Sequence, residues 1–146
     1  MAQLQNSTIQ GDLAITGQIS CENIEINGIE PVDYIIEQGT SGIWRYRKYN
    51  SGIAELWGKS AAYTVSISNP WGSVYSYDNA VPPQTYPFTF VEYPYVQITP
   101  ETDGNNFWTF TGSGGSTSQT PGMSVVRPNS NSATVRAIFY VVGRWK

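Results

Sequence analysis

Apolar and polar residues alternate most clearly near the end of the chain, from Thr134 to Trp145. A period of two is typical of a β-strand, because successive side chains point to opposite faces. The residues predicted to share one face are Val135, Ala137, Phe139 and Val141, and those predicted for the other are Ile138, Tyr140 and Val142. Because both faces are mostly apolar, we expect this strand to be central to a sheet or to lie at a subunit interface.

A second alternating pattern predicts a β-hairpin. Asn50-Ser51-Gly52 is a tight-turn signal between two strand-like segments, 43–49 and 53–59. Its predicted first strand has Trp44 and Tyr46 on one face and Arg45 and Arg47 on the other; its second strand has Ala54 and Leu56 on one face and Glu55 and Trp57 on the other.

The other strand-like segments are short and are separated by turn-forming residues. Strands are predicted at 61–68, 88–98, 107–111 and 123–127. Two segments are ambiguous, since 74–78 is predicted as a loop or a short strand and 34–36 as a strand or a short helix. Turns or loops are predicted at 39–42, 69–72, 112–122 and 128–132. Pro94 interrupts one predicted strand, which must therefore be an edge strand or carry a bulge there. About eight strands with closely spaced turns predict an all-β head, of β-sandwich or jelly-roll-like type, over residues 31–146.

The first 30 residues differ from the rest, because they contain no aromatic residue. Small apolar residues alternate between glycines, and the odd positions of the best run are Ile9, Leu13, Ile15 and Ile19. One chain offers too thin an apolar stripe here to bury alone. Residues 1–30 are therefore predicted to be a β stalk that several chains wind together, and the alternative is a partly disordered N-terminal tail.

Charge and composition exclude several classes of function. Charged residues make up 13% of the chain, below the usual share of about 25%. The net charge is −3, and the densest basic cluster, Arg45, Arg47 and Lys48, fits a strand surface, so nucleic-acid binding is not expected. No apolar run approaches the roughly 20 residues of a membrane span, and the N-terminus lacks a signal-peptide core. We expect synthesis in the cytoplasm and no membrane insertion.

Three segments resemble phage proteins. The run from Asp33 to Gly58 resembles a segment of the C-terminal head domains of phage and prophage tail proteins, particularly those of Gram-positive gut bacteria. The ending Gly143-Arg144-Trp145-Lys146 is similar to how such proteins close, and the run from Gly11 to Gly17 resembles fibre-shaft repeats. Residues 60–130 carry no such resemblance. The resemblance implies a virion protein that is made in the bacterial cytoplasm. It implies an intertwined homotrimer that forms the end of a tail fibre or baseplate. The N-terminus would join other tail proteins, and the head would contact the host surface.

The residues offer little catalytic chemistry. The chain has no histidine, which removes Ser-His-Asp and Cys-His sites and every histidine metal site. Its one cysteine, Cys21, has no nearby base. The candidates for a catalytic carboxylate pair are Glu37, Glu55, Asp78, Glu92, Glu101 and Asp103, and their spacing in the sequence does not pair them. Glu37 and Glu55 could face each other, but a cross-strand pair of Glu55 with Arg45 or Arg47 explains Glu55 more simply. Residues 103–106 fit a turn better than a calcium loop. No catalytic residue, metal or cofactor is predicted.

Carbohydrate binding fits the aromatic and amide side chains in two predicted loops. Sugars rest apolar C–H faces on aromatic rings, and their hydroxyls pair with carboxylates and amides. The predicted ligand-binding residues are Trp71, Tyr75, Tyr77, Asp78, Asn79, Asn105, Asn106 and Trp108. The alternative is that Trp71, Tyr75 and Tyr77 pack into the core or between subunits. The tryptophans in predicted strands, Trp44, Trp57 and Trp145, are interpreted as packing residues.

These patterns favour a homotrimeric phage tail fibre tip that binds a host cell-surface polysaccharide or receptor. Two alternatives stay open: a monomeric carbohydrate-binding module, and a fibre-borne polysaccharide hydrolase. The module would need a self-sufficient core and no stalk. The hydrolase would need two suitably spaced carboxylates.

Overall fold

A computed structural model describes residues 33–103 and 107–146 of the chain. The predicted stalk at 1–30, and the predicted ligand residues Asn105 and Asn106, lie outside the described residues.

The described part of the chain is all-β, with ten strands and no helix. The strands are β1 (Ile35–Ser41), β2 (Trp44–Tyr49), β3 (Ile53–Lys59), β4 (Tyr63–Ile67), β5 (Asn69–Trp71), β6 (Val74–Val81), β7 (Tyr95–Thr102), β8 (Trp108–Thr111), β9 (Met123–Arg127) and β10 (Asn131–Arg144). They form two antiparallel sheets, one of six strands and one of four.

Strand β10 is the centre of the six-stranded sheet, as the C-terminal alternation predicted. One edge pairs with β7 through residues 135–142. The other edge pairs with β3 through 138–144 and with β4 through 131–135. Strands β2 and β1 continue the sheet beyond β3, so the predicted hairpin of residues 43–59 is confirmed.

The alternation in β10 decides which face of this sheet is the core. Its four residues on the predicted inner face are buried: Val135, Ala137, Phe139 and Val141. On the opposite face Ile138 and Tyr140 remain 43% and 40% exposed. Leu56 and Ala54 of β3 are fully buried on the inner side, which agrees with the face predicted for them.

The four-stranded sheet has the order β5-β6-β9-β8. Its buried residues Val81, Met123 and Val125 join the inner face of the six-stranded sheet in one hydrophobic cluster. Two aromatic residues of the segment between β6 and β7 complete this cluster, since Tyr86 and Phe90 are buried and meet edge to face at 5.2 Å. Two sheets thus share one core, which confirms the all-β prediction for the described residues.

The predicted strand at 88–98 is wrong at its start, because strand β7 begins only at Tyr95. Pro94 has no N–H to donate, so the residues before it leave the ladder. The Phe88 ring lies 5.6 Å from the ring of Tyr46, and the segment packs as an aromatic loop. Strand β7 pairs with β10 alone, and this edge position tolerates Pro100 within the strand.

Several other predicted boundaries are corrected. Residues 35 and 36 belong to strand β1, so the strand alternative predicted for 34–36 is confirmed. The turn predicted at 39–42 begins only after Ser41, where Gly42 has a φ of 57°. Residues 69–72, predicted as a break, include strand β5, which forms a hairpin with β6. The short strand or loop at 74–78 is the longer strand β6.

Asn79 shapes an irregularity in β6. The register of β6 against β9 shifts between Tyr77 and Val81, and Asn79 there has a φ of 50°. Its backbone N–H donates to Ser124 Oγ at 3.0 Å. Its side-chain oxygen is buried so close to Gly112 and Gly122 that a Cβ on either glycine would collide with it. The bulge therefore depends on two positions without side chains.

We predict that Gly122→Ala lowers the free energy of unfolding by about 1–3 kcal/mol, the usual cost of overpacking a filled core. The physical reason is the collision of the new methyl group with the Asn79 side chain. Denaturant unfolding of a double-mutant cycle measures the effect. In an Asn79→Gly background the same substitution should cost less than half as much. An unchanged cost in that background would contradict the role of Asn79.

Candidate ligand-binding site

The outer face of the four-stranded sheet carries exposed aromatic side chains on its two edge strands. Cross-strand partners share a face, and one row of partners crosses the whole sheet: Asn69, Ser76, Val126 and Trp108. Trp71 lies two residues beyond Asn69 in β5, and Phe110 two residues beyond Trp108 in β8, so both are on this same face. We call Trp71, Trp108 and Phe110 the aromatic ledge.

The aromatic ledge extends across the sheet and stays open to solvent. The rings of Trp71 and Phe110 lie 6.2 Å apart between centroids, although they belong to opposite edge strands. Their contact therefore passes above the central strands, which accounts for the burial of Val126 and Ser124 on this outer face. The ledge residues themselves remain 63% exposed for Trp71, 60% for Trp108 and 42% for Phe110.

Polar groups lie beside the aromatic ledge. Asn69 is exposed and Ser76 half-buried in the row that ends at Trp108, and Asp78 is exposed further along β6. These side chains can donate to and accept from hydroxyl groups, while the indole faces contact apolar C–H surface. Such a mixture on a hydrogen-bonded sheet suits a sugar more than a fully apolar ligand.

The other predicted ligand residues lie elsewhere. Tyr75 packs against the core, in line with the packing alternative for this residue. Tyr77 is the cross-strand partner of the buried Val125, so its side chain lies on the inner face of the sheet, and 36% of its surface is exposed. Asn79 is held in the bulge by Gly112 and Gly122. The structure thus brings together Trp71 and Trp108 and separates them from the two tyrosines.

Phe110 was missing from the predicted ligand-binding residues. The signal was present in the sequence, because Phe110 follows Trp108 by two residues in a predicted strand and must share its face. The sequence does not reveal the strand pairing that places β5 and β8 in one sheet and so brings the Phe110 ring beside that of Trp71.

A second surface surrounds Trp57 on the outer face of the six-stranded sheet. Trp57 pairs across the strands with Arg45 and Tyr140 on the side away from the core, so this half-buried residue packs against outer-face neighbours and not in the core. Two shallow depressions, of about 240 Å³ and about 350 Å³, share Arg45 and Trp57 in their walls. The Arg47 guanidinium lies 5.3 Å from the Trp57 ring centroid and so occupies one face of that ring.

The other two tryptophans outside the ledge do pack, as predicted. Trp44 is buried and its indole N–H donates to the Thr85 carbonyl at 2.6 Å. Trp145 is half-buried against the core, just beyond the end of β10, and its indole N–H donates to the Tyr49 carbonyl at 3.3 Å.

Glu37 and Glu55 do not form a carboxylate pair. Glu37 forms an ion pair with Lys48, and the cross-strand partner of Lys48, Ala54, faces the core, so Glu37 and Lys48 lie on the inner face of the sheet. Glu55 is the cross-strand partner of Arg47 and lies on the outer face. The Glu55 carboxylate accepts hydrogen bonds from the hydroxyls of Tyr49 at 2.8 Å and Tyr140 at 2.9 Å. Two carboxylates on opposite faces of a sheet cannot act on one glycosidic bond.

The surroundings of Glu37 shift several pKa values. The Lys48 ammonium at 2.9 Å, and then the Tyr46 hydroxyl at 2.9 Å, lower the pKa of Glu37 from its ordinary value of 4.5. The same hydrogen bond to Glu37 raises the pKa of Tyr46. Lys48 also lies 4.5 Å from the Phe88 ring and 4.8 Å from the Trp145 ring, so this cation joins β2 to the chain's last residues.

Residues 33–103 and 107–146 contain no group of three or more side chains suited to hold a metal ion. Over the same residues, no helix is long and apolar enough to cross a membrane.

Comparisons with known proteins identify no relative. The chain matches no protein-family model, no curated protein and no solved structure. The functional argument therefore depends on the residues and geometry of this chain.

We predict that Glu37→Gln destabilises the protein near neutral pH and has a smaller effect in acid. A carboxyl whose folded pKa is lowered stabilises the fold above its ordinary pKa, and this contribution is lost as the pH falls through the folded pKa. The difference in free energy of unfolding between wild type and Glu37→Gln should therefore shrink between about pH 7 and about pH 3. Denaturant titrations across this range measure it.

Glu92→Gln serves as the control, because Glu92 is exposed and makes no ion pair within the described part of the chain. A Glu37→Gln difference that stays constant with pH would contradict the assigned pairing.

Proposed function

We propose that this protein is the tip of a homotrimeric phage tail fibre, or of a related tail protein, and attaches the virion to a host cell-wall polysaccharide. The aromatic ledge is the observation that carries the proposal. Attachment here is binding without chemistry: sugar rings stack on Trp71 and Trp108, and neighbouring polar groups pair with hydroxyls.

The exposure of two indoles on one rigid face supports a binding role. An indole buries a large apolar area when it is covered, so leaving two of them more than half exposed gives up stabilisation that packing would provide. Exposed apolar clusters rimmed by polar residues mark interaction sites. Because hydrogen-bonded strands hold both residues, a ligand would lose little free energy in ordering them.

Trimer assembly is supported by the sequence of residues 1–30 and by the resemblance of residues 33–58 to phage tail heads. The thin apolar stripe of the first 30 residues needs partner chains to be buried. The outer face of the six-stranded sheet adds exposed apolar surface at Tyr95, Ile138 and Tyr140 that a second copy could cover. Three weak sugar sites on one tip would raise avidity without any new contact.

The monomeric carbohydrate-binding module remains the second candidate, because residues 33–146 enclose a hydrophobic core of their own. It shares the aromatic ledge with the first proposal and differs in its oligomeric state. The fibre-borne hydrolase is less well supported, since Glu37 and Glu55, the carboxylates predicted to be able to face each other, lie on opposite faces of one sheet.

We predict that Trp71→Ala and Trp108→Ala each weaken binding to purified Gram-positive cell-wall polysaccharide by about tenfold or more, the equivalent of one lost stacking contact of about 1.4 kcal/mol. The physical reason is the loss of a flat apolar surface for the sugar ring. Binding of the full chain is measured by biolayer interferometry on immobilised polysaccharide, and circular dichroism checks the fold of each variant.

Tyr93→Ala is the matched control, because it also removes an exposed aromatic ring but leaves both the ledge and the outer face of the six-stranded sheet intact. It should bind within about twofold of wild type. Equal losses for Tyr93→Ala and Trp71→Ala, or no loss for either ledge variant, would contradict the proposal. Release of reducing sugar from the polysaccharide would favour the hydrolase.

A further inference from the structure

Arg127, the last residue of β9, carries a guanidinium that is almost completely inside the protein. The residue is only 5% exposed, and its Nε is buried with no hydrogen-bond partner among residues 33–103 and 107–146. Within the described residues no carboxylate forms an ion pair with it. An N–H donor that is buried without a partner is costly, and the guanidinium to which this donor belongs is positively charged. The position therefore calls for an anionic partner.

Arg127 opens onto a pocket of about 290 Å³ whose other walls are rich in hydroxyl groups. Its lining residues are Thr64, Thr102, Asp103, Arg127, Ser132, Ala133 and Thr134. Thr102 Oγ1 is a second buried polar atom here without a hydrogen-bond partner. Two residues that each carry a polar atom without a partner in the described part of the chain, Arg127 and Thr102, thus line the same cavity.

The acidic residue in the pocket wall does not serve as the missing partner. Asp103 is paired instead with Arg136, whose guanidinium lies 3.6 Å from the Asp103 carboxylate and 3.6 Å from that of Glu101. Glu101 in turn bonds Lys59 at 2.6 Å. These four exposed or half-exposed charges balance one another, which leaves the Arg127 charge for a ligand.

The chemistry of the walls defines the ligand class. A guanidinium presents a planar set of N–H donors that matches a carboxylate, to which it can donate two parallel hydrogen bonds. Hydroxyl groups of threonine and serine both donate to and accept from sugar hydroxyls. The volume is at the lower end of small-molecule pockets, which begin near 300 Å³, and so fits a single small ring.

We propose that the Arg127 pocket binds one acidic sugar unit, with its carboxylate on Arg127 and its hydroxyls toward Thr102, Thr134 and Ser132. The pocket is separate from the aromatic ledge. The inference rests on the proposed function only for the source of this sugar, namely the host polysaccharide; binding of the free sugar acid does not depend on it.

The test titrates the full chain with D-glucuronate, D-glucose and inorganic phosphate at constant ionic strength, with binding followed by NMR. Glucuronate should shift the threonine methyl signals of the pocket in a saturable way. Glucose should not bind, because it lacks the carboxylate, and phosphate should bind more weakly because it lacks the ring. Arg127→Met should abolish glucuronate binding, and Arg45→Met, which removes an exposed arginine of β2, should leave it unchanged.

Thr102→Val separates binding from folding. It replaces a hydroxyl that has no partner in the empty pocket by a methyl group of the same shape, so the melting temperature should stay the same or rise. Glucuronate affinity should nevertheless fall roughly two- to tenfold, as expected for one lost hydrogen bond. This variant decides the matter even if Arg127→Met fails to fold.

Three results would overturn the inference: no saturable glucuronate binding, equal binding of glucose or phosphate, or wild-type affinity in Thr102→Val. Trp71→Ala distinguishes failure of the Arg127 pocket proposal from failure of the ledge proposal. This variant should bind the polysaccharide more weakly and bind glucuronate as the wild type does.

Discussion

The hydrogen bonding of β10 along both of its edges is the constraint on which the rest of the structure depends. A strand that pairs on both sides cannot turn about its axis, so its alternation fixes an inner and an outer face for every neighbour in register. The inner face, with Phe139 and Val141, sets the core side for β3, β4 and β7. The second sheet has to cover that side, and its own outer face is then left toward solvent.

Surface chemistry follows from this division of faces. Strand β9 is buried along its whole length, whereas the short edge strands β5 and β8 have exposed outer faces. Aromatic side chains on those two strands reach over β9 without entering the core. Arg127 follows Val126 by one residue in β9, so its side chain lies on the inner face of the sheet, opposite to that of Val126. Strand β9 therefore separates the two surfaces that are proposed to bind sugars.

Local patterns predicted the strongest elements of the fold. The hairpin of residues 43–59 and strands β9 and β10 could be read from alternation and turn chemistry, because both signals are local. The start of β7 could not, since an aromatic segment before Pro94 looks like a strand until its packing against Tyr46 is known. Asn79 was read as a ligand residue because an exposed asparagine and one held in a bulge look alike in sequence.

The candidate site was predictable in its residue types but not in its grouping. Trp71 and Trp108 were singled out as exposed aromatic residues, and their placement on one face depends on a strand order that no local pattern encodes. The tyrosines of β6 were separated from them by the same register. No pattern in the sequence marks Arg127, because the burial of its side chain and the lack of a hydrogen-bond partner for its Nε among the described residues depend on tertiary structure alone.

Weak sugar contacts of the kind proposed for this head give useful affinity only when several copies act together. The central claim is therefore the trimer, and the most direct test is the solution mass, measured by light scattering on a sizing column, of the whole chain and of a truncated chain that begins at Pro31. The account predicts a whole-chain mass of three 16.1 kDa subunits, about 48 kDa, and weaker association after truncation. A whole chain that runs as a 16.1 kDa monomer, with folding unchanged by truncation, would contradict it.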